Sequence, residues 1–372
     1  MLPYQLMMVL TAGLGLLLCE RNPSRKKDAV YLAVVTVAMV MMAGLRADTV
    51  GTDYEPYTIY FNSVVGQPFS FLFSQSNQYL REPVFGLLNW AVTRVSSDIR
   101  VLMAVASGLI IVIRAAAVWR LSSSVWMSMF IYSSFGFFGY ALCTLRQELG
   151  ISVAFFSIPY LQQKRFWPYL AVVTAAGLCH TSLFVLLPVF WLAWLPINRI
   201  TLSLYAAGTV ALGILTRPIL SIVTRYVFTN YAASYFWFGR DFRTAFIPMI
   251  YALVMLLFAN RLLARRKENL VLVNFAVWTG VLFLLTIAVF LYQRIALVFF
   301  PLSAMLLLPE VLSSLRPEAQ PLRKGEKRIS PRDAKSLYAA CIGYTVFTGF
   351  VYNLFLLSAN RLLIVPYISF LG

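Results

Sequence analysis

The chain has 372 residues, 60% hydrophobic and only 12% charged, with a formal net charge of +17 and a mean hydropathy of +0.76. No soluble globular class has that balance, and apolar runs of about 20 residues recur from end to end, each long enough to span a bilayer. The composition therefore reads as one all-α polytopic membrane domain over 1–372, and the excess charge as a positive-inside bias, not a nucleic-acid footprint. A transmembrane β-barrel would show short alternating strands instead.

The first apolar run, Leu2–Cys19, precedes its basic cluster of Arg21, Arg25, Lys26 and Lys27. A cleavable signal carries its charge first, so this run reads as a span whose N-terminus is outside and whose basic end is cytoplasmic. Asp28–Leu45 returns outward and opens an outer loop, 46–98. Within that loop Gly51-Thr52-Asp53-Tyr54 reads as a short helix cap, and Glu82–Val95 as a re-entrant or interfacial helix with Pro83 at its start. Counting Glu82–Val95 as a crossing would put Arg146 in the cytoplasm and break the charge pattern. Further spans are predicted at Ile99–Trp119, Val125–Cys143, Gln147–Leu161, Phe166–Cys179, Thr181–Leu195 and Thr201–Ile222. An outer loop at 223–243 follows, rich in Tyr and Trp (Tyr226, Tyr231, Tyr235, Trp237). The last spans are Thr244–Leu263, Leu270–Leu291, Ile295–Ser314 and Ser336–Leu357, with a basic cytoplasmic loop at 315–335 between the final two. The expectation is about 12 spans with both termini outside. The stretch 166–195 must turn back at His180, since a single long helix would carry the basic loop outside. Cys19, Cys143, Cys179 and Cys341 all lie in apolar runs and read as small core residues rather than a disulfide or metal framework.

On this topology all seven lysines fall inside, whereas every outer cation is an arginine. The guanidinium fork binds phosphate in bidentate fashion, although arginine also snorkels at interfaces for no ligand's sake. Arg46, Asp53, Glu82, Arg146, Glu148, His180 and Arg294 gather at the outer ends of apolar runs. Charges near a bilayer centre cost about 2.5–3.5 kcal/mol each, and less toward its edges, so such a gathering is a functional-site hypothesis. Asp53 and Glu82 are the candidate acid–base carboxylates, with helix capping as the competing role. Arg146 and Gln147 open a helix, a ready anion site, with Glu148 as a first-turn acid offsetting the cation. His180 is the only histidine, which leaves no zinc spacing; it is either a site residue or a satisfied core imidazole. Tyr54, Tyr57, Tyr60 and Tyr79 either stack on sugar rings or form an aromatic belt.

The ordered set Arg46, Gly51-Thr52-Asp53-Tyr54, Glu82-Pro83, Leu88-Asn89, Leu145-Arg146-Gln147, His180, Arg294 and Pro366-Tyr367 resembles the EpsG-type exopolysaccharide polymerases, over nearly the whole chain. These are similar in role to the Wzy polymerases of O-antigen and capsule. The resemblance implies a metal-independent, cofactor-free glycosyltransferase of the GT-C kind in the bacterial cytoplasmic membrane, with its site on the outer face. Its donor and acceptor would both be oligosaccharides on undecaprenyl diphosphate, with membrane lipids around it and room for other polysaccharide-assembly proteins. Carried onto this chain, Arg46, Arg146 and Arg294 would bind the diphosphate, Asp53 or Glu82 would take the acceptor proton, and Tyr54, Gln147 and His180 would position sugar or phosphate. Glu148-Leu149-Gly150 departs from the small apolar residues the family usually has there. Two rivals remain: a single-sugar enzyme using a polyprenyl-phosphate donor, with a metal at Asp53 and Glu55, and a flippase for lipid-linked glycans.

Overall fold

The computed structural model describes residues 1–21, 23–226, 239–240, 243–316 and 330–371. Most of the expected outer loop 223–243, with Tyr231, Tyr235 and Trp237, lies outside the described residues, as do the side chain of Tyr226 and residues 317–329 of the basic loop. The described chain is helical, with one isolated antiparallel bridge, Arg46 to Ser369. In order the helices are α1 Leu2–Leu14, α2 Arg25–Gly44, α3 Tyr54–Val64, α4 Pro83–Thr93, α5 Ile99–Leu121, α6 Val125–Ser134, α7 Phe137–Cys143 and α8 Leu145–Ala154. There follow α9 Ile158–Gln162, α10 Phe166–Cys179, α11 Val189–Leu192, α12 Arg199–Tyr226, α13 Phe246–Arg265, α14 Asn269–Leu285, α15 Tyr292–Leu315 and α16 Pro331–Ala359.

Seven of the described helical stretches are long and apolar enough to cross a membrane, the first being α1 continued as a π-helix to Glu20, and the bent pair α6–α7 would make an eighth. The other expected crossings fall on shorter or interrupted helices. After α8 the chain passes through a 3₁₀ turn, Phe155–Ser157, and Pro159 opens α9. After His180 it takes 3₁₀ geometry over Thr181–Leu186 before Pro188. The stretch expected as one span at Val125–Cys143 bends by 60° between α6 and α7. Gly136 makes the bend: its φ is +82°, and a Cβ there would meet Leu356 at 2.7 Å. The eleven residues of α4 reach about 16 Å, roughly half the hydrocarbon thickness.

The helices separate two ends. At one end Tyr4 donates to the Ile364 carbonyl at 3.0 Å, and Tyr367 donates to the Met42 carbonyl at 2.7 Å. Arg46, Asp53, His180 and Arg294 lie at that same end. At the other, Glu20 accepts from Trp126 Nε1 (2.7 Å), Arg316 (3.0 Å) and Tyr338 (3.0 Å), tying the first helix to the last two. The chain reverses at His180, since Phe166 at the start of α10 packs on Phe190 with ring centroids 5.1 Å apart. The apolar helix α15 sits at the centre against α13, α14, α6 and α16, whereas α12 shows Leu204, Val210 and Ile214 to the outside.

Glu148 does not offset Arg146 as its position in the first turn of α8 suggested. It turns inward to Arg114 of α5, Oε2 to Nη2 at 2.8 Å, with both side chains essentially unexposed. Tyr132 and Phe155 face the same guanidinium, 4.9 and 5.6 Å from their ring centroids. A buried pair tolerates loss of both charges far better than loss of one. Arg114→Met is therefore expected to destabilise the folded protein by about 3–5 kcal/mol. Arg114→Met with Glu148→Leu should recover most of that, as read from unfolding of the purified protein in detergent.

Candidate functional site

Asp53 and Glu82 each precede a helix, α3 and α4, but neither side chain accepts a capping hydrogen bond. The Glu82 carboxylate turns instead into a pocket of donors from two distant segments. Its Oε1 accepts from His180 Nδ1 at 2.5 Å and from the Thr181 amide and hydroxyl at 3.2 and 3.4 Å. Its Oε2 is paired with Arg146 Nη1. The Arg146 guanidinium in turn lies over the Tyr79 ring, 4.4 Å from its centroid. Tyr57, Tyr79 and Phe85 pack edgewise below, so these aromatics form a floor for Arg146 and are buried, not presented as sugar platforms. Burial pushes the Glu82 carboxyl up. The His180 hydrogen bond and charge, the Arg146 charge and the Thr181 amide outweigh it and hold the group down at about 2.

A cavity of about 340 Å³ adjoins this cluster, and Asp53, Gln147 and Arg294 line it. Gln147 is the hinge between the two, next to Arg146 in the first turn of α8 and donating to the Arg294 carbonyl at 2.8 Å. Asp53 accepts from the Thr52 hydroxyl at 2.9 Å. Gly51 allows this placement: its φ is +114°, and a Cβ would sit 2.9 Å from the Leu142 carbonyl. The amides of Gly51 and Thr52 bond the carbonyls of Leu363 and Leu362, so the C-terminal segment walls the Asp53 side.

The expected site residues are thus sorted into three places. Glu82, Arg146 and His180 form one bonded cluster, and Asp53, Gln147 and Arg294 line the cavity. Arg46 and Tyr54 lie apart from both. Arg46 is 2% exposed and gives Nη1 to the Ala43 carbonyl and to Ser107 Oγ at 2.5 and 2.9 Å, leaving Nε and Nη2 without partners. Tyr54 is buried and lines a separate surface hollow with Asp98 and Arg100. The cavity also contains Tyr140, Gln293, Asn353 and Arg361, which sequence reasoning did not single out. A signal existed for two of them. Gln293 sits beside Arg294, and Asn353 is an amide inside an otherwise apolar helix, where a polar side chain needs a reason. Among the described residues no group of three or more His, Cys, Asp or Glu side chains is placed to hold a metal ion.

A profile of the EpsG family matches residues 29–323, a range that includes Arg46, both carboxylates, Arg146, His180 and Arg294. No curated protein and no solved structure matches the chain.

The depressed Glu82 group makes a pH prediction. Between about 2 and its ordinary value of 4.5 the folded protein binds fewer protons than the unfolded chain, so stability rises with pH there. The contribution is fully present above 4.5 and is lost as pH falls through about 2. Melting temperature against pH should show this slope in the natural protein and a flatter one in Glu82→Gln. Equal slopes would mean that the carboxylate is not held as described.

Proposed function

The chain belongs to the EpsG family, and from that premise we propose that it polymerises lipid-linked oligosaccharides into a polysaccharide. The observation that carries the proposal is one cavity holding a carboxylate, Asp53, together with two guanidinium side chains, Arg294 and Arg361. A hydroxyl of the acceptor glycan attacks the anomeric carbon of the donor. The bond from that carbon to the diphosphate oxygen breaks, polyprenyl diphosphate leaves, and the acceptor proton passes to Asp53. Developing charge on the diphosphate is met by fixed arginines, Arg294 first. Arg146 supports them from beside the cavity, with its Nη1 already held by Glu82.

This reading divides the two carboxylates. Glu82 is too weak a base at about 2, and both its oxygens are engaged, so it orients Arg146 and His180. Asp53 lines the cavity and is the proton acceptor. Arg46, buried under the C-terminal segment, braces that wall. The carrier is undecaprenyl diphosphate, and donor and acceptor both reach the site from the outer leaflet of the bacterial cytoplasmic membrane. The topology that goes with it has about 12 crossings and both termini outside, the short helices around His180 crossing where the outer surface is dished. A GT-C mechanism of Wzy type needs no resident metal here.

Asp53→Asn is expected to lower polymer formation by about 10²–10⁴-fold, the usual contribution of a positioned base. Arg294→Lys keeps the charge and loses the fork, with an expected loss of about 10²–10³-fold. The measurement is chain length of lipid-linked glycans in cells with equal amounts of membrane-inserted protein, where single repeat units should accumulate. Full-length polymer in both variants would refute the proposal. The orientation has its own check: Lys324→Cys should be shielded from an impermeant thiol reagent in intact cells and react once the membrane is opened.

A further inference from the structure

A further hollow, about 370 Å³, lies between α13 and α16, both of which pack on α15. Phe246 and Ile247 line it from one side and Val351, Tyr352 and Phe355 from the other, with Arg243 at the end where α13 begins. Apart from Arg243 and the Tyr352 hydroxyl, its lining is hydrocarbon and aromatic ring. Phe246 is 56% and Val351 50% exposed, so the slot is continuous with the apolar outer surface of the bundle. The same two segments also build the site cavity: Thr244 stands beside Arg243, while Asn353, Leu356 and Leu357 occupy the next face of α16. On a helix turning about 100° per residue, positions 351, 352 and 355 share one face and 353, 356 and 357 the adjoining one. The slot and the site cavity are therefore lined from adjoining faces of one helix.

We propose that this slot holds the isoprenoid tail of the lipid diphosphate whose headgroup occupies the cavity of Asp53 and Arg294; the inference rests on the function proposed above. A polyprenyl diphosphate is a long, branched, single apolar chain with a concentrated anionic head. Its recognition inside a bilayer needs an apolar groove beside cations; Arg243 lines the slot, and Arg294 and Arg361 line the cavity. Lipid tails are as apolar as the groove, so the slot gains little from hydrophobic transfer. It acts through shape: the chain is aligned so that the diphosphate oxygen and the anomeric carbon are presented to Asp53 in one orientation.

The test uses the full-length protein in phosphatidylcholine nanodiscs with a polyprenyl diphosphate bearing a diazirine in its first isoprene units. Crosslinked peptides are mapped by mass spectrometry. Label is expected in the peptides holding Phe246–Ile247 and Val351–Phe355. Val351→Trp or Ile247→Trp, which fill the slot, should reduce it by about tenfold. Leu257→Trp, on the lipid-facing side of α13 and outside both hollows, controls for folding and should label as the natural protein does. Label spread over outward residues of α12 such as Leu204 and Ile214 would overturn the assignment. So would equal labelling of the slot by a diazirine phosphatidylglycerol, which would make it an ordinary lipid site. Polymer synthesis is scored on the same nanodiscs supplied instead with lipid-linked oligosaccharide, which serves as both donor and acceptor. Polymer with label elsewhere overturns the slot alone, whereas label in the slot without polymer supports the slot and overturns the polymerase reading.

Discussion

The first turn of α8 is the point on which the site end of this molecule depends. Successive helical residues point about 100° apart, so Arg146, Gln147 and Glu148 address three different neighbours. Arg146 pairs with Glu82 ahead of α4, Gln147 bonds the Arg294 carbonyl at the start of α15, and Glu148 pairs with Arg114 deep in α5. In an apolar surrounding an unpaired charge is far costlier than a paired one, so each contact constrains the rotation and depth of α8. The helix has ten residues and could not hold a fixed orientation by its own propensity. Its precision is borrowed from three partners, and the cavity residues inherit it.

Glu82 shows how the same physics assigns roles to carboxylates. Four donors converge on it, from the His180 ring, the Thr181 amide and hydroxyl and the Arg146 guanidinium. A carboxylate so satisfied is a poor proton acceptor and a good fastener. It joins α4, the start of α8 and the reversal at His180, three segments that no local interaction would bring together. Asp53 follows the backbone fixed around Gly51 instead, accepts from the Thr52 hydroxyl and lines the cavity. The difference between an acid that fastens segments and one that lines the cavity follows from how many donors each receives, not from their identical chemistry.

The hydrocarbon side is organised around α15. Phe300 on that helix receives Phe135, Phe137, Tyr251 and Phe283 at centroid separations of 5.0–5.8 Å, an aromatic hub linking the α6–α7 bend, α7, α13 and α14. Tyr352 of α16 reaches the same hub through Phe135. The bend at Gly136 lets α7 leave the hub and carry Tyr140 and Thr144 to the cavity. Packing of the core and shape of the site are thus set by the same break in one helix.

Much of this was legible in the amino-acid sequence, because bilayer physics writes itself into composition. Apolar runs mark helices, and a charge at the edge of such a run is costly enough to need a partner. The reversal at His180 followed from charge parity alone. The gathering of Glu82, Arg146 and His180 at one end was expected from their shared side, although the bonds among them were not. What the sequence could not decide is which partner each charge meets. Glu148 was as plausible beside Arg146 as across from Arg114, and Arg46 as plausible in the cavity as sealed beneath the C-terminal segment. Those choices depend on helix rotation and on contacts between residues tens to hundreds of positions apart, such as Glu82 with His180 or Tyr4 with Ile364. Periodicity in one dimension carries no record of them. Only the tertiary structure settled which charges fasten the fold and which face the cavity.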